Sequence, residues 1–203
     1  SYEHEAIIQL RREAWDNFNA LGFPTTKAED WKYTNLTRFL KNVYHPDDLL
    51  PQQAQDISIK EAVIKSLDCY RLVLLNGELQ TALSDLPDAK QVKILPVTEA
   101  EDQPAFAHHF NKYVDVTKQH FAALNTALFS SGLFIEVAAG TALDKPLQIV
   151  YVLSGEKSSL QQSRNLLVMG SNTSMNLVET VISSTSDIID FRNHVTEIVL
   201  QKN

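Results

Sequence analysis

Three histidines and a cluster of acids are the side chains in this sequence best suited to hold a metal ion. His108 and His109 are adjacent, His120 follows them, and Glu99, Glu101 and Asp102 lie shortly upstream. Their spacing argues against a shared ion. Neighbouring side chains on a helix point about 100° apart, so the adjacent pair cannot readily face one centre. On a continuous helix His120 would lie about 16 Å beyond His109. No H-x-x-x-H or C-x-x-C spacing occurs, and no native metal site is expected.

Other reactive residues carry weaker signals. Ser130-Ser-Gly132 lacks the G-x-S-x-G frame of a nucleophile elbow. Ser154-Gly-Glu-Lys-Ser-Ser159 fails the phosphate-loop spacing and reads as a solvent-facing turn. Glu136, Glu179 and Glu197 fall in successive apolar runs. In the right register they would stack as a row of carboxylates, the arrangement of a carbohydrate-active groove, or as a row of solvent-facing acids. His194 reads as a polar strand-edge residue, the alternative being one that faces a partner or a metal. Glu29, Asp30 and Trp31 fit either a compact connector pinned by aromatics or a docking or catalytic surface.

Composition narrows the classes. The chain has 203 residues, 44% hydrophobic and 21% charged, within the range of an ordinary soluble globular protein. A formal charge of −7 argues against general nucleic-acid binding, which needs clustered Lys and Arg. No apolar run reaches the length of a membrane span, and no signal peptide is expected ahead of Ser1. The single Cys69 excludes an internal disulfide and suits a reducing cytoplasm.

The elements that must position these residues divide the chain in two. Residues 132–203 read as successive strands: Leu133–Val137, Leu147–Leu153, Leu166–Met169, Met175–Ser183 and Val195–Leu200. Their alternation predicts a sheet with one buried face, although Glu179 interrupts the apolar face of the fourth. Val137-Ala-Ala-Gly140 and Val168-Met-Gly170 form similar apolar-to-glycine corners about thirty residues apart. That repeat fits a parallel β-helix or a Greek-key sandwich. The last run, Val195, Thr196, Glu197, Ile198, Val199 and Leu200, is followed only by three polar residues. It predicts an exposed interface edge, through which the chain self-associates, and marks the chain as the front portion of a longer protein.

Residues 1–131 read as helices with a small α/β segment. Ile7, Leu10, Ala14, Phe18 and Leu21 define the stripe of a helix from about Glu3 to Leu21, closed by Gly22 and Pro24. Thr26 and Glu29 have capping-box spacing. Lys41 to Ala54 reads as an exposed connection. Tyr70–Leu75, Asn76-Gly77 and Glu78-Leu79 predict a hairpin, and Val92–Pro96 a short strand. A further helix is expected to run through Phe129, capped by Asp115 or Thr117.

As a string, Pro24-Thr25-x-Lys27-x-Glu29-x-Trp31-Lys32-Tyr33-Thr34-x-Leu36 resembles the amino-terminal signature of the SufB/SufD family of the SUF iron–sulfur cluster assembly system, its SufD members in particular. Phe121-Ala-Ala-Leu124-Asn125-Thr-Ala127, Gly132-Leu-x-Ile135-x-Val137-x-x-Gly140 and Lys145-Pro146-Leu147 resemble that family's entry into its core. The resemblance covers most of this chain but only the front half of a typical member. It implies a mixed α and β fold, predominantly β in its second half. N-terminal helices and a small α/β segment would lead into the first rungs of a parallel β-helix, a truncated solenoid.

It also implies a non-catalytic scaffold subunit of an ATP-dependent complex whose partners are SufB and the ATPase SufC. The family's SufC-binding helical region and its histidine-containing SufB–SufD surface lie in the back half and carry over to no residue here. Pro24, Thr25, Glu29, Trp31, Lys32 and Tyr33 would serve structure or docking. The cluster and ATP belong to the complete assembly, since one cysteine cannot supply the usual shell of about four thiolates. Catalytic, cofactor-binding and metal residues are therefore expected to be absent. Neither nucleic acid nor membrane is an expected partner, and the expected location is cytoplasmic.

Overall fold

A computed structural model describes residues 4–41, 64, 66–154, 160–183 and 190–202. Among these the chain forms strands β1 (Tyr70–Leu75), β2 (Glu78–Leu79), β3 (Val92–Pro96), β4 (Leu133–Val137), β5 (Leu147–Leu153), β6 (Leu160–Met169), β7 (Leu177–Ser183) and β8 (Phe191–Leu200). Helices α1 (Glu5–Leu21), α2 (Pro104–His109) and α3 (His120–Leu128) accompany them. The fold is mixed α and β, mostly strands, in two mixed sheets of order β2-β1-β5-β7 and β3-β4-β6-β8.

The path from β4 to β8 alternates between the sheets, and each strand lies parallel to the one two steps earlier. Phe134 pairs with Leu166, Leu147 with Leu177, and Leu160 with Phe191. A Greek key would require antiparallel neighbours, which among the described strands pair only β1 with β2 and β3 with β4. The corners stack as the strands do. Gly170 N–H donates to the Val137 carbonyl (3.0 Å), and Ser174 N–H to that of Thr141 (3.0 Å). A Cβ on Gly170 would sit 2.7 Å from the Ala139 nitrogen, so the close approach of the two corners requires glycine.

Apolar side chains explain the face-to-face packing. Leu72, Leu74, Leu133, Ile135, Leu147, Ile149 and Leu167 meet between the sheets, all at least 98% buried. Burying each contributes about 1.5–3 kcal/mol. The alternation predicts one buried face, but β4 and β6 bury both. Phe134, Leu166 and Val168 point outward and are covered by Phe106 and Phe110, at and just beyond α2, and by Phe129. Helices therefore seal the outer face of the second sheet, which is why β4 and the Leu166–Met169 end of β6 read as nearly continuous apolar runs rather than strict alternation.

The front segment is tied to this stack by hydrogen bonds as well as packing. β1 pairs with β5, and β3 pairs with β4, so strands from both sides of residue 131 share the sheets. Asn76 (φ 48°) and Gly77 (φ 90°) form the expected hairpin turn. α1 buries Ile7, Ala14 and Phe18, ends where the Gly22 N–H donates to the Phe18 carbonyl (2.7 Å), and packs on α3.

Several boundaries differ from expectation. β6 and β8 begin several residues before their predicted starts, because Gln162, Arg164 and Asn193 are buried by hydrogen bonds instead of apolar contacts. α3 begins only at His120. The Asp115 carboxylate is occupied in a local turn, accepting from the Thr117 N–H (3.0 Å) and hydroxyl (2.6 Å), and does not cap the helix. Thr26 and Glu29 likewise form no capping box. A single 3-10 turn, Glu29–Trp31, starts there without a side-chain cap, and the Glu29 carboxylate pairs with Lys32 instead. Residues 42–54 of the expected connection and 155–159 of the expected turn lie outside the described residues. Among the described residues no helix is long and apolar enough to cross a membrane.

Candidate functional site

The signature stretch and the start of β8 face each other. A cleft of about 700 Å³ is lined by Ala28, Glu29, Asp30 and Trp31 on one side, Lys118 to Ala122 on another, and Asn193 to Thr196 along β8. Local chemistry places each wall. Pro24 is buried behind the end of α1, and Thr25 accepts from the Lys27 N–H at 3.3 Å, bending the chain back. Trp31 then stacks obliquely on Phe121 of α3, ring centres 5.1 Å apart. Phe23, Phe39 and Phe121 converge on Phe191 at the start of β8. Lys32 pairs with Glu29 and lies over the Tyr33 ring, which is 92% exposed. The signature thus divides into an anchoring half, Pro24 and Trp31, and a solvent-facing half, Thr25, Glu29, Lys32 and Tyr33.

β8 ends its sheet, so its outer edge pairs with no strand among the described residues. Ile198 and Leu200 are 56% and 75% exposed, Val195, Thr196 and Val199 are half-buried, and Glu197 is only 3% exposed. The reading of Glu197 as a solvent-facing acid is therefore corrected. Its side chain turns to the helix-covered face of the sheet and pairs with Arg164 at 2.8 Å, both sealed from solvent. Arg164 also donates to the Asn111 side chain (2.9 Å) and the Thr126 hydroxyl (3.0 Å). Backbone N–H groups of Asn111 (2.9 Å) and Tyr113 (3.0 Å) complete the shell of Glu197. Burial pulls the Arg164 guanidinium below its ordinary value, opposed by the adjacent Glu197 charge.

On the opposite face of β8, between the sheets, lies a second polar cluster. Glu179 of β7 accepts from the Tyr151 hydroxyl of β5 (2.9 Å), and His194 Nε2 lies 3.4 Å from both groups. His194 Nδ1 meets the Ser163 hydroxyl at 2.6 Å, and Thr196 Oγ1 lies 2.9 Å from Nε2. Asn165 Nδ2 donates to Tyr151 at 2.7 Å, and the Arg192 guanidinium lies 4.1 Å from the Tyr151 ring centre. Hydrogen bonds from His194 and Tyr151 hold Glu179 below the usual carboxylate range. Burial, reinforced by the Glu179 charge, pushes the Tyr151 phenol well above its ordinary value. Glu179 interrupts the apolar stripe of β7 because this cluster receives it.

The row of acids does not assemble. Glu136 pairs across the strands with Val168, Glu197 with Leu166, and Glu179 lies in the other sheet opposite Ile149. No carboxylate groove of the glycosidase kind results from these three. His108 and His109 end α2 with rings edge-on at 4.5 Å. His109 Nδ1 bonds to the Tyr113 hydroxyl (2.7 Å), and burial lowers its pKa, followed by the neighbouring His108 charge. His120 begins a separate helix and bonds to the Gly22 carbonyl at 2.8 Å, so no continuous helix joins the histidines. Among the described residues, no three His, Cys, Asp or Glu side chains converge on one ion position. The partners of His194 in the inter-sheet cluster escaped the sequence reading. The about-thirty-residue repeat that places Ser163 beside His194 was their one available signal.

Parallel strands alternating between two sheets, with helices sealing one outer face, define the class of protein, and comparison with known proteins gives the family. Residues 1–149 match the family model described as the SufBD protein N-terminal region. The chain therefore belongs to the SufB/SufD family. It is 24% identical over 99% of its length to an iron-sulfur cluster assembly SufBD family protein of Synechocystis, covering 46% of that relative. It is 30% identical over half its length to the iron-sulfur cluster assembly protein SufB of Bacillus subtilis, and 31% identical over 51% to a SufBD family protein of Staphylococcus epidermidis. Each of the latter matches covers 22% of the relative, so the chain spans less than half the length of these relatives.

Proposed function

We propose that this chain acts as part of a SufD-like scaffold for iron–sulfur cluster assembly, working through subunit interfaces with SufB and SufC and catalysing no reaction itself. The observation that carries this reading is the family match across residues 1–149, joined to relatives named for cluster assembly. The SufD assignment within the family rests on the signature from Pro24 to Leu36. The stacked corners and the about-thirty-residue offset between paired strands support the first rungs of a parallel β-helix. In such a coil, inward-facing Val181 (52% exposed), Ile198 and Leu200 are the residues a further rung or partner strand would cover.

The reading places the protein in the cytoplasm and gives it no stably bound iron–sulfur cluster of its own, with ATP handled by SufC. Affinity capture of the tagged protein from cells expressing SufB and SufC tests it. Both should co-purify in fixed ratio, and deletion of the gene should lower the activity of cluster-dependent enzymes. Elution alone, with those enzymes unaffected by deletion, would sink the assignment. The free edge of β8 also supports self-association in the isolated chain. A concentration-independent monomer in sedimentation, with rapid amide exchange along 195–200, would remove that second reading.

A further inference from the structure

We propose that Tyr151, Glu179 and His194 form a three-donor site for a first-row transition metal ion, ferric iron above all. The reading does not depend on the assembly role proposed above. The three donor atoms form a triangle with sides of 2.9, 3.4 and 3.4 Å. Two ligands each about 2.1 Å from one ion lie about 3.0 Å apart at a right angle and about 3.4 Å apart at a tetrahedral angle. An ion seated just above this triangle meets all three without moving a strand. The pairing of β5 with β7, and the packing of β8 against them, sets the triangle, so the donors are held by three different strands.

The surrounding groups suit ligation. In the tautomer with its proton on Nδ1, toward Ser163, His194 gives up its hydrogen bond to Glu179 and presents the Nε2 lone pair to a metal, and the Ser163 hydroxyl fixes the ring orientation. Asn165 donates to the Tyr151 oxygen and the Arg192 guanidinium lies over its ring, and both offset part of the burial and Glu179 charge that keep the phenol protonated until a cation binds. In the free protein the phenol proton sits on the hydrogen bond to Glu179. Metal binding displaces that proton to solvent, forming one O–metal bond as the O–H bond breaks. A phenolate, a carboxylate and an imidazole, with no thiolate, form a hard to borderline set that favours a small, highly charged cation. His194 and Thr196 also line the cleft, which supplies an entry path and room for water on the remaining coordination positions.

The test adds ferric nitrilotriacetate to the purified chain at neutral pH. One equivalent should bind with a visible phenolate-to-iron charge-transfer band and tyrosinate modes in resonance Raman. Tyr151→Phe should lose the band entirely, Glu179→Gln and His194→Gln should weaken binding about tenfold or more, and His109→Gln should leave it unchanged. Circular dichroism checks that each variant is folded. Should Tyr151→Phe fail to fold, the wild-type chain labelled with ¹⁵N-histidine decides, because its hyperfine pattern changes only when imidazole is a ligand. Absence of the band from wild type, its persistence in folded Tyr151→Phe, or an unchanged hyperfine pattern would each overturn the site.

Discussion

β8 carries a charged cluster on each face, and the two differ in their access to water. Toward the helices, Arg164 and Glu197 are wholly buried, and side-chain and backbone partners surround them. Within this pair Arg164 Nε has no hydrogen-bond partner among the described residues, with the Phe110 ring 5.4 Å from its guanidinium carbon. Toward the other sheet, Glu179 and His194 are partly exposed beside the open edge, with the buried Tyr151 bonded to Glu179. A sealed, paired charge specifies how the loop after α2 docks on the sheet. A half-open cluster keeps donor atoms that an incoming ion or partner can use. Burial, more than residue type, separates structure from chemistry here.

The largest expected effect lies on the sealed side. Glu197→Ala strands the Arg164 charge and should lower unfolding free energy by about 3–5 kcal/mol in urea titrations. The double variant Arg164→Met/Glu197→Leu should lose less than either single variant, because no buried charge remains unpaired. Double-variant losses equal to the sum of the singles would break the contrast between the two faces.

Next in size is Gly132→Ala. Gly132 has φ 129°, and an added Cβ would collide with the carbonyl oxygen of Arg164. The change should cost about 3 kcal/mol or more, read from the same urea titrations. Trp31→Ala removes the ring from Phe121 at the wall of the cleft and should lower stability by about 1–2 kcal/mol in thermal melts. Smallest is Lys32→Ala. Its pair with Glu29 is solvent-exposed, so the melting free energy should change by no more than about 0.5 kcal/mol. A larger loss would place the outer half of the signature among the anchors.

The strands β4 and β5, the hairpin and β3 were legible in the sequence because their apolar runs and turn residues act locally. The starts of β6 and β8 were not, since Gln162, Arg164 and Asn193 read as surface residues until distant partners satisfy them. The same holds for the candidate site. The spacing of Glu136, Glu179 and Glu197 suggested a row of acids, yet cross-strand register put them in three unrelated environments. Trp31 could be marked as special from its neighbours alone, whereas its contact with Phe121, ninety residues away, could not.

The sequence by itself determined the alternating apolar strands, the glycine corners that allow one turn to rest on another, and the signature that belongs to the family. Only the tertiary structure decided which of those strands are buried on both faces and which polar side chains are sealed together. The physical reason is range. Backbone preference and side-chain alternation act over a few residues, while pairing Arg164 with Glu197, or bringing Tyr151, Glu179 and His194 together, depends on the registers of strands about thirty residues apart and on the packing of one sheet against the other.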